Sequence, residues 1–181
     1  MSFVRRSAAG RSVTGPGPRC LATVSLLVAG ALPLHGGSLF SSVVDEFAVL
    51  FPAPPHVERS EVEVAGVGTA KMRLYRVDEP KTEWLVSATD VERLALDPSR
   101  TLASARTWVV EKSGGKLVSE RPLRVGGYES VDLRLERPDG SVIRTRICVT
   151  RRRIYQATVL TTEEWRRRPQ VERFLDSFAP D

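Results

Sequence analysis

The sequence predicts an α+β domain in which an antiparallel β-sheet meander packs against helices. Apolar and charged residues alternate with period two in several segments between Lys116 and Thr161, as in antiparallel strands with one buried face. Two other segments, which begin near Pro98 and Pro169, repeat apolar residues every three or four positions, as amphipathic helices do. No change of composition divides residues 38–181, so we expect a single domain there.

Residues 1–37 predict a signal peptide and leader. They carry four arginines and no acidic residue, and an apolar run of 15 residues follows over positions 20–34. This run is shorter than the roughly 20 residues that cross a bilayer. We therefore expect export to the periplasm or the exterior, with cleavage after Ala31 or near Gly37. Anchoring by an uncleaved N-terminal segment is the alternative.

The leader also accounts for most of the net charge. The whole chain has a formal charge of +5 and a pI of about 9.7. Without residues 1–37, 23 basic residues remain against 22 acidic ones, which leaves +1. Nucleic-acid binding depends on clustered cations that displace counterions from phosphates, so we do not expect a nucleic-acid partner.

The first half of the mature chain predicts several short strands. The apolar segment 47–51 ends at three prolines within positions 52–55, which cannot donate ladder hydrogen bonds. Period-two alternation on both sides of Gly66-Val67-Gly68 predicts a hairpin. A further strand over 83–89 has Trp84 and Val86 at its apolar centre.

Asp97-Pro98 predicts the start of a helix, because aspartate caps free N–H groups and proline suits the first helical position. This helix places Leu102, Ala105 and Val109 on one face and ends at Gly114-Gly115. A second helix opens at Pro169 and must pack on the sheet through an apolar stripe: Val171, Phe174, Leu175 and Phe178.

Between the helices, the sequence predicts a meander of four strands, with a turn at Pro138-Asp139-Gly140. Along the strand after this turn, Ile143 and Ile147 line one face, while Arg144 and Arg146 point away. Because half of the side chains are charged, we expect this sheet to have one face in water.

Short patterns along the chain resemble the PsbP-like family of small exported domains. They are 47–52, the helix that ends at Gly114-Gly115, 153–157 and 173–178. The resemblance implies an αβα sandwich, an antiparallel sheet flanked by helices. It also implies an accessory or binding role. None of the metal-associated residues of the photosystem subunit that names the family has a matching motif in this sequence.

The residues that carry most enzyme chemistry are scarce, so we expect no catalytic residue, no cofactor and no metal site. His35 lies in the leader, and His56 follows the proline corner as a solvated loop residue. Cys148 lies within a predicted strand, where a small buried hydrophobe is the expected role and a reactive thiol the alternative. Asp132 and Glu136 are about 13 Å apart along one strand, which favours a solvated network with arginines over a catalytic pair.

Two arginine runs are the unusual feature of the mature chain. They are the candidate contacts for an anion or a partner: Arg151, Arg152, Arg153, Arg166, Arg167 and Arg168. Together the two runs could bind an anionic lipid headgroup, a polysaccharide or an acidic protein. The alternative is that both are solvated loops. The strand between them is about 23 Å long, which argues against a single site.

Taken together, these features predict a non-enzymatic accessory or binding domain of the cell envelope, whose partner is an envelope protein. The alternative is a soluble binder of a small anionic or lipid ligand, held in a pocket between sheet and helix. An enlarged apolar cavity would favour the ligand, and a filled core with an exposed apolar patch would favour a protein partner.

Overall fold

Two antiparallel sheets and two helices make up the part of the chain that the computed structural model describes, residues 37–64, 68–92 and 97–181. The leader, with its predicted cleavage sites, and most of the turn at Gly66-Val67-Gly68 lie outside the described residues. In chain order the elements are β1 (Ser38–Ser42), β2 (Phe47–Phe51), β3 (His56–Val64), β4 (Gly68–Glu79), β5 (Thr82–Asp90), α1 (Pro98–Lys112), β6 (Lys116–Val125), β7 (Tyr128–Glu136), β8 (Ser141–Val149), β9 (Arg153–Thr162), α2 (Pro169–Ser177) and β10 (Ala179–Pro180).

The larger sheet has seven strands in the order β3-β4-β5-β9-β8-β7-β6. It consists of two meanders, β3-β4-β5 and β6-β7-β8-β9, which join through antiparallel pairing of β5 with β9. The predicted meander is therefore present, but it forms only part of the sheet. The predicted hairpin also pairs as expected, with Val64 opposite Gly68.

A second sheet of three strands, β1-β2-β10, was not predicted. The segment 47–51 does form a strand, and it lies between β1 and the two-residue β10. The α+β class and the single domain are confirmed, whereas a meander flanked by helices matches the architecture only in part, because this small sheet lies on the same side of the large sheet as α2.

Both helices begin where the sequence predicts, and α1 ends just before the predicted glycines, whereas α2 ends at Ser177, one residue before Phe178. The Asp97 Oδ1 atom accepts a hydrogen bond from the Arg100 backbone N–H at 2.8 Å, and Gly114 beyond the end of α1 has a φ of 67°. The apolar stripe of α2 is buried throughout. Neither helix has the length and apolar character needed to cross a membrane, within the residues that the structure describes.

The two faces of the large sheet carry separate cores. The aromatic face, which we define by Tyr75, Trp84 and Tyr155, packs against α2 and the small sheet. Its rings are in direct contact: the centroids of Phe47 and Tyr75 are 5.0 Å apart, and those of Trp84 and Phe174 are 5.3 Å apart. The α1 face, which we define by Leu133, Leu135, Ile143 and Ile147, packs against α1 through Val109.

The expectation of one face in water is wrong, because both faces of the meander are covered. Arg146 was expected to point into solvent, but it lies under α2 with 4% of its surface exposed, and its partner Asp132 is 8% exposed. On β4, the small sheet covers the side that carries Tyr75 and Val77, and both are buried there.

Candidate functional site

The turn between β1 and β2 exposes two apolar side chains side by side. Val43 is 89% exposed and Val44 is 62% exposed, and we call this pair the valine tip. Isolated exposed apolar residues are normal on protein surfaces, but two adjacent ones at the end of a hairpin form a small projecting patch. Sequence reasoning did not select these residues; the available signal was two β-branched residues in a short turn before Asp45-Glu46.

A buried carboxylate lies directly beneath the valine tip. Asp45 is 2% exposed and forms an ion pair with Arg73 of β4. Its Oδ2 atom accepts a hydrogen bond from the Tyr75 hydroxyl at 2.5 Å, and that hydroxyl lies 2.8 Å from the Ser42 hydroxyl. Burial, and next the hydrogen bond to Asp45, raise the pKa of Tyr75 above its usual value. Because a charge this deeply buried must be paired, the turn is fixed to β4.

The backbone of the same turn is held from β9. The Tyr155 hydroxyl donates to the Asp45 carbonyl oxygen at 2.7 Å, and the Arg153 Nη2 atom donates to the Val44 carbonyl oxygen at 2.8 Å. Burial raises the pKa of Tyr155 to about 12, so the hydroxyl stays a donor at neutral pH. Glu46 adopts a φ of 52°, the left-handed region that most residues avoid. These contacts anchor the backbone of the turn at Val44 and Asp45 to β9.

The first arginine run lies beside this turn and is largely occupied. Arg153 pairs with Glu46, and Arg152 reaches both Glu46 at 3.0 Å and Glu92 at 3.2 Å. Arg151 is exposed. Two of the three predicted contact residues therefore already have carboxylate partners within the domain.

The second run precedes α2 at the other end of β9. Arg166 pairs with Glu163 at 2.5 Å, the Arg168 guanidinium lies 3.4 Å from the centre of the Trp165 ring, and Arg167 is exposed. The 10 residues of β9 separate the runs by about 30 Å at 3.3 Å per residue. The structure does not bring the two runs together into one site, as the strand length predicted.

The network around Asp132 is structural but not solvated. Asp132 accepts hydrogen bonds from the Nε of Arg146 at 2.7 Å and from Arg121 at 2.8 Å. Arg146 also donates to the Leu175 carbonyl oxygen at the end of α2. Burial acts to raise the pKa of Asp132, but the hydrogen bonds from Arg146 and Arg121 outweigh it and lower that pKa below the usual value. The predicted pairing of Asp132 with arginines is present. The prediction that this network lies in solvent was wrong, because α2 covers it.

The single histidine and the single cysteine among the described residues are far apart. Cys148 is fully buried, and burial raises the pKa of its thiol above the ordinary value. Its prediction as a small buried hydrophobe is confirmed. His56 is exposed on β3, four strands away from β8 and hence at least about 19 Å distant at 4.8 Å per strand. The two cannot form a catalytic Cys–His pair. Over residues 37–64, 68–92 and 97–181, no three His, Cys, Asp or Glu side chains gather as metal ligands.

A concave surface lies between α1 and the sheet, and we call it the α1 cleft. Its volume is about 260 Å³. Trp108 and Lys112 of α1 form one wall, and Arg137 also lines the cleft. The sheet forms the floor, with the apolar residues Leu85, Ile143 and Leu160 and the polar residues Glu83, Gln156 and Thr158. Small-molecule sites are concave and mostly apolar, with a few polar groups that orient the ligand. The α1 cleft has this composition on a small scale.

Comparison with known proteins bears on the fold. No family model and no curated protein matches the chain. Among solved structures, the chain is similar to the cyanobacterial PsbP of Synechocystis sp. PCC 6803, with a TM-score of 0.52 and 14% identity over 86% of this chain and 99% of that one. A Pseudomonas aeruginosa protein of unknown function has a TM-score of 0.44 and 15% identity over 81% and 98% of the two chains. The likeness to PsbP confirms the predicted resemblance, which extends to the fold alone.

Proposed function

We propose that this chain is a non-enzymatic, exported accessory domain that binds another protein of the cell envelope through the valine tip. The observation that supports this proposal is the exposure of Val43 and Val44 on a turn that is anchored to two strands, through its backbone to β9 and through the Asp45 carboxylate to β4. A surface that is already rigid loses little conformational freedom on binding, so more of its contact energy appears as affinity.

The charges around the valine tip favour a protein partner over an anionic membrane. Arg73, Arg152 and Arg153 lie next to the tip, but three carboxylates pair with them, those of Asp45, Glu46 and Glu92. The Asp181 backbone N–H also donates to the Glu46 carbonyl oxygen, which places the C-terminal residue at the same turn. Attraction to anionic lipids requires an excess of cations near the surface, and this turn lacks one among its described neighbours.

Export is the other part of the proposal. It rests on the basic start and short apolar run of residues 1–37. If it is correct, the partner belongs to the same compartment, and cell fractionation will find both proteins there.

Site-specific photocrosslinking in the source cells tests the proposed contact. A photoreactive residue at Val43 should give a discrete adduct with one envelope protein. The same residue at Val118, a 44% exposed valine on β6, is the matched control and should not. Changing Val43 and Val44 to aspartate should weaken binding to the identified protein at least tenfold, because both contacts then bury a charge. Equal adducts from positions 43 and 118 contradict the proposal.

A second function has its own support. The α1 cleft lies where the sequence-based alternative expected a small anionic or lipid ligand, between sheet and helix. The cleft is small, and it is open to solvent rather than enclosed within the core. Binding there and protein contact at the valine tip involve different residues, so the two functions are compatible.

A further inference from the structure

Within the described residues, the α1 face is covered less completely toward β5 and β9 than over β7 and β8. Helix α1 packs chiefly on β7 and β8, Leu160 packs only partly against this core, and Leu85 is half-buried. Trp108 borders this floor from the helix and is 52% exposed. Tryptophan and aliphatic side chains that meet at an open cleft gain free energy when an apolar group covers them. The α1 cleft is therefore suited to an apolar ligand segment.

The apolar floor is short, which limits the ligand. Beyond Leu85, the same face of the sheet continues with Arg76 on β4 and His56 on β3, both polar and paired across the strands. The cleft volume of about 260 Å³ is just below the roughly 300–1,000 Å³ of typical ligand sites. These dimensions fit a short aliphatic chain of up to about eight carbons rather than a complete membrane lipid.

The end of the cleft near the C-terminus of α1 is cationic. Lys112 and Arg137 both line it, and the Arg137 Nε atom donates to the Ser113 carbonyl oxygen at 2.8 Å, which fixes the guanidinium there. The lining also contains the acidic Glu83, which lies 3.4 Å from an Arg76 guanidinium that pairs with Asp78 at 2.7 Å, so the charge of Glu83 is compensated only in part. Lys112 forms no ion pair with another residue in the part of the chain that the structure describes. A single negative group on the ligand therefore has two cations to contact.

We propose that the α1 cleft binds a small aliphatic carboxylate, whose chain covers Leu85 and Leu160 and whose headgroup lies between Lys112 and Arg137. This inference rests on the second function proposed above and supplies its ligand class. It is independent of the valine tip.

Titration calorimetry with octanoate and with 1-octanol tests the proposal, because the two share a chain and differ in charge. Octanoate should bind saturably and at least five times more tightly than octanol. Lys112→Gln should weaken the binding of octanoate at least fivefold and change the affinity for octanol by less than twofold. Lys116→Gln, which removes an exposed lysine on β6, is the matched control and should leave both unchanged. Trp108→Ala should weaken both ligands, and thermal melts verify that each variant folds.

The outcomes separate the ligand class from the site. If octanol binds as tightly as octanoate or more tightly, the proposal that the ligand is a carboxylate is overturned, while the cleft remains a ligand site. No saturable binding of either probe overturns the cleft as a site, and with it the second function. Equal losses for Lys112→Gln and Lys116→Gln overturn the placement of the headgroup.

Discussion

The two faces of the seven-stranded sheet are covered to different degrees. On the aromatic face, α2 and the small sheet bury Phe47, Phe51, Phe174 and Phe178 to within 1% of complete burial. On the α1 face, one helix covers two strands and leaves the α1 cleft beside it. Buried aromatic packing is therefore concentrated on one side of this domain, and we expect more of its stability to depend on that side.

The largest effect should come from the centre of the aromatic face. Phe174→Ala removes a ring that contacts Phe51 and Trp84 at centroid distances of 5.3 Å. We expect it to lower the free energy of unfolding by about 3–5 kcal/mol, the usual cost of emptying a buried aromatic site. Val109→Ala, at the centre of the α1 face, should cost about 1.5 kcal/mol for the two carbons that it removes. Urea denaturation of both variants measures the difference.

Equal losses for Phe174→Ala and Val109→Ala would contradict this view of the two faces. It would mean that α1 contributes as much to the stability of the domain as α2 does. Arg151→Ala at the exposed turn is the surface reference and should change stability by no more than about 0.5 kcal/mol.

Alkaline pH should act on the aromatic face through Tyr155. The pKa of Tyr155 is raised from 10.0 to about 12 in the folded domain. Below pH 10 its hydroxyl is protonated in both states, so its full contribution is present. Between pH 10 and 12 only the unfolded state loses the proton, and stability should fall by about 1.4 kcal/mol per pH unit, to a total of 2–3 kcal/mol. Denaturation at pH 9, 10 and 11 measures this slope.

Tyr155→Phe is the matched control, since it keeps the ring and removes the ionisable hydroxyl. Its stability at pH 9 should be lower because the bonds to Asp45 and Glu46 are lost. Its loss between pH 10 and 11 should be shallower than that of the natural chain. An unchanged slope would assign the alkaline loss to other groups, such as Tyr75.

The local sequence pattern was sufficient to predict most helices and strands, but it predicted few of the contacts that bury them. The helix that begins at Asp97-Pro98 and the apolar stripe that ends at Phe178 each depend on residues close together in the sequence. Both are as predicted. The small sheet was missed, because β10 is only two residues long and pairs with β2 across more than a hundred positions. The burial of Asp132 and Arg146 was missed for the same reason, since charged alternation indicates a wet face until a distant helix covers it.

The candidate sites were less predictable than the fold. The arginine runs were conspicuous in the sequence, yet acidic residues remote in the chain, such as Glu46 for Arg153, pair with them. The location of the α1 cleft between sheet and helix was anticipated in general terms. Its residues were not, because Trp108 and Leu160 come together only through the packing of α1. Sites that depend on long-range contacts are not visible in local spacing.

The smallest effect should come from the start of α1, the helix that forms the wall of the cleft. Asp97→Ala removes the side-chain acceptor for the Arg100 backbone N–H and should cost about 1 kcal/mol. Asp97→Asn keeps a capping oxygen without the charge, and its cost should be a few tenths of a kcal/mol. Ser104→Ala, at an exposed position within α1, is the reference for a change that removes no cap. If Asp97→Ala instead cost as much as Phe174→Ala, α1 would be as essential to the fold as α2, and stability would not depend mainly on the aromatic face.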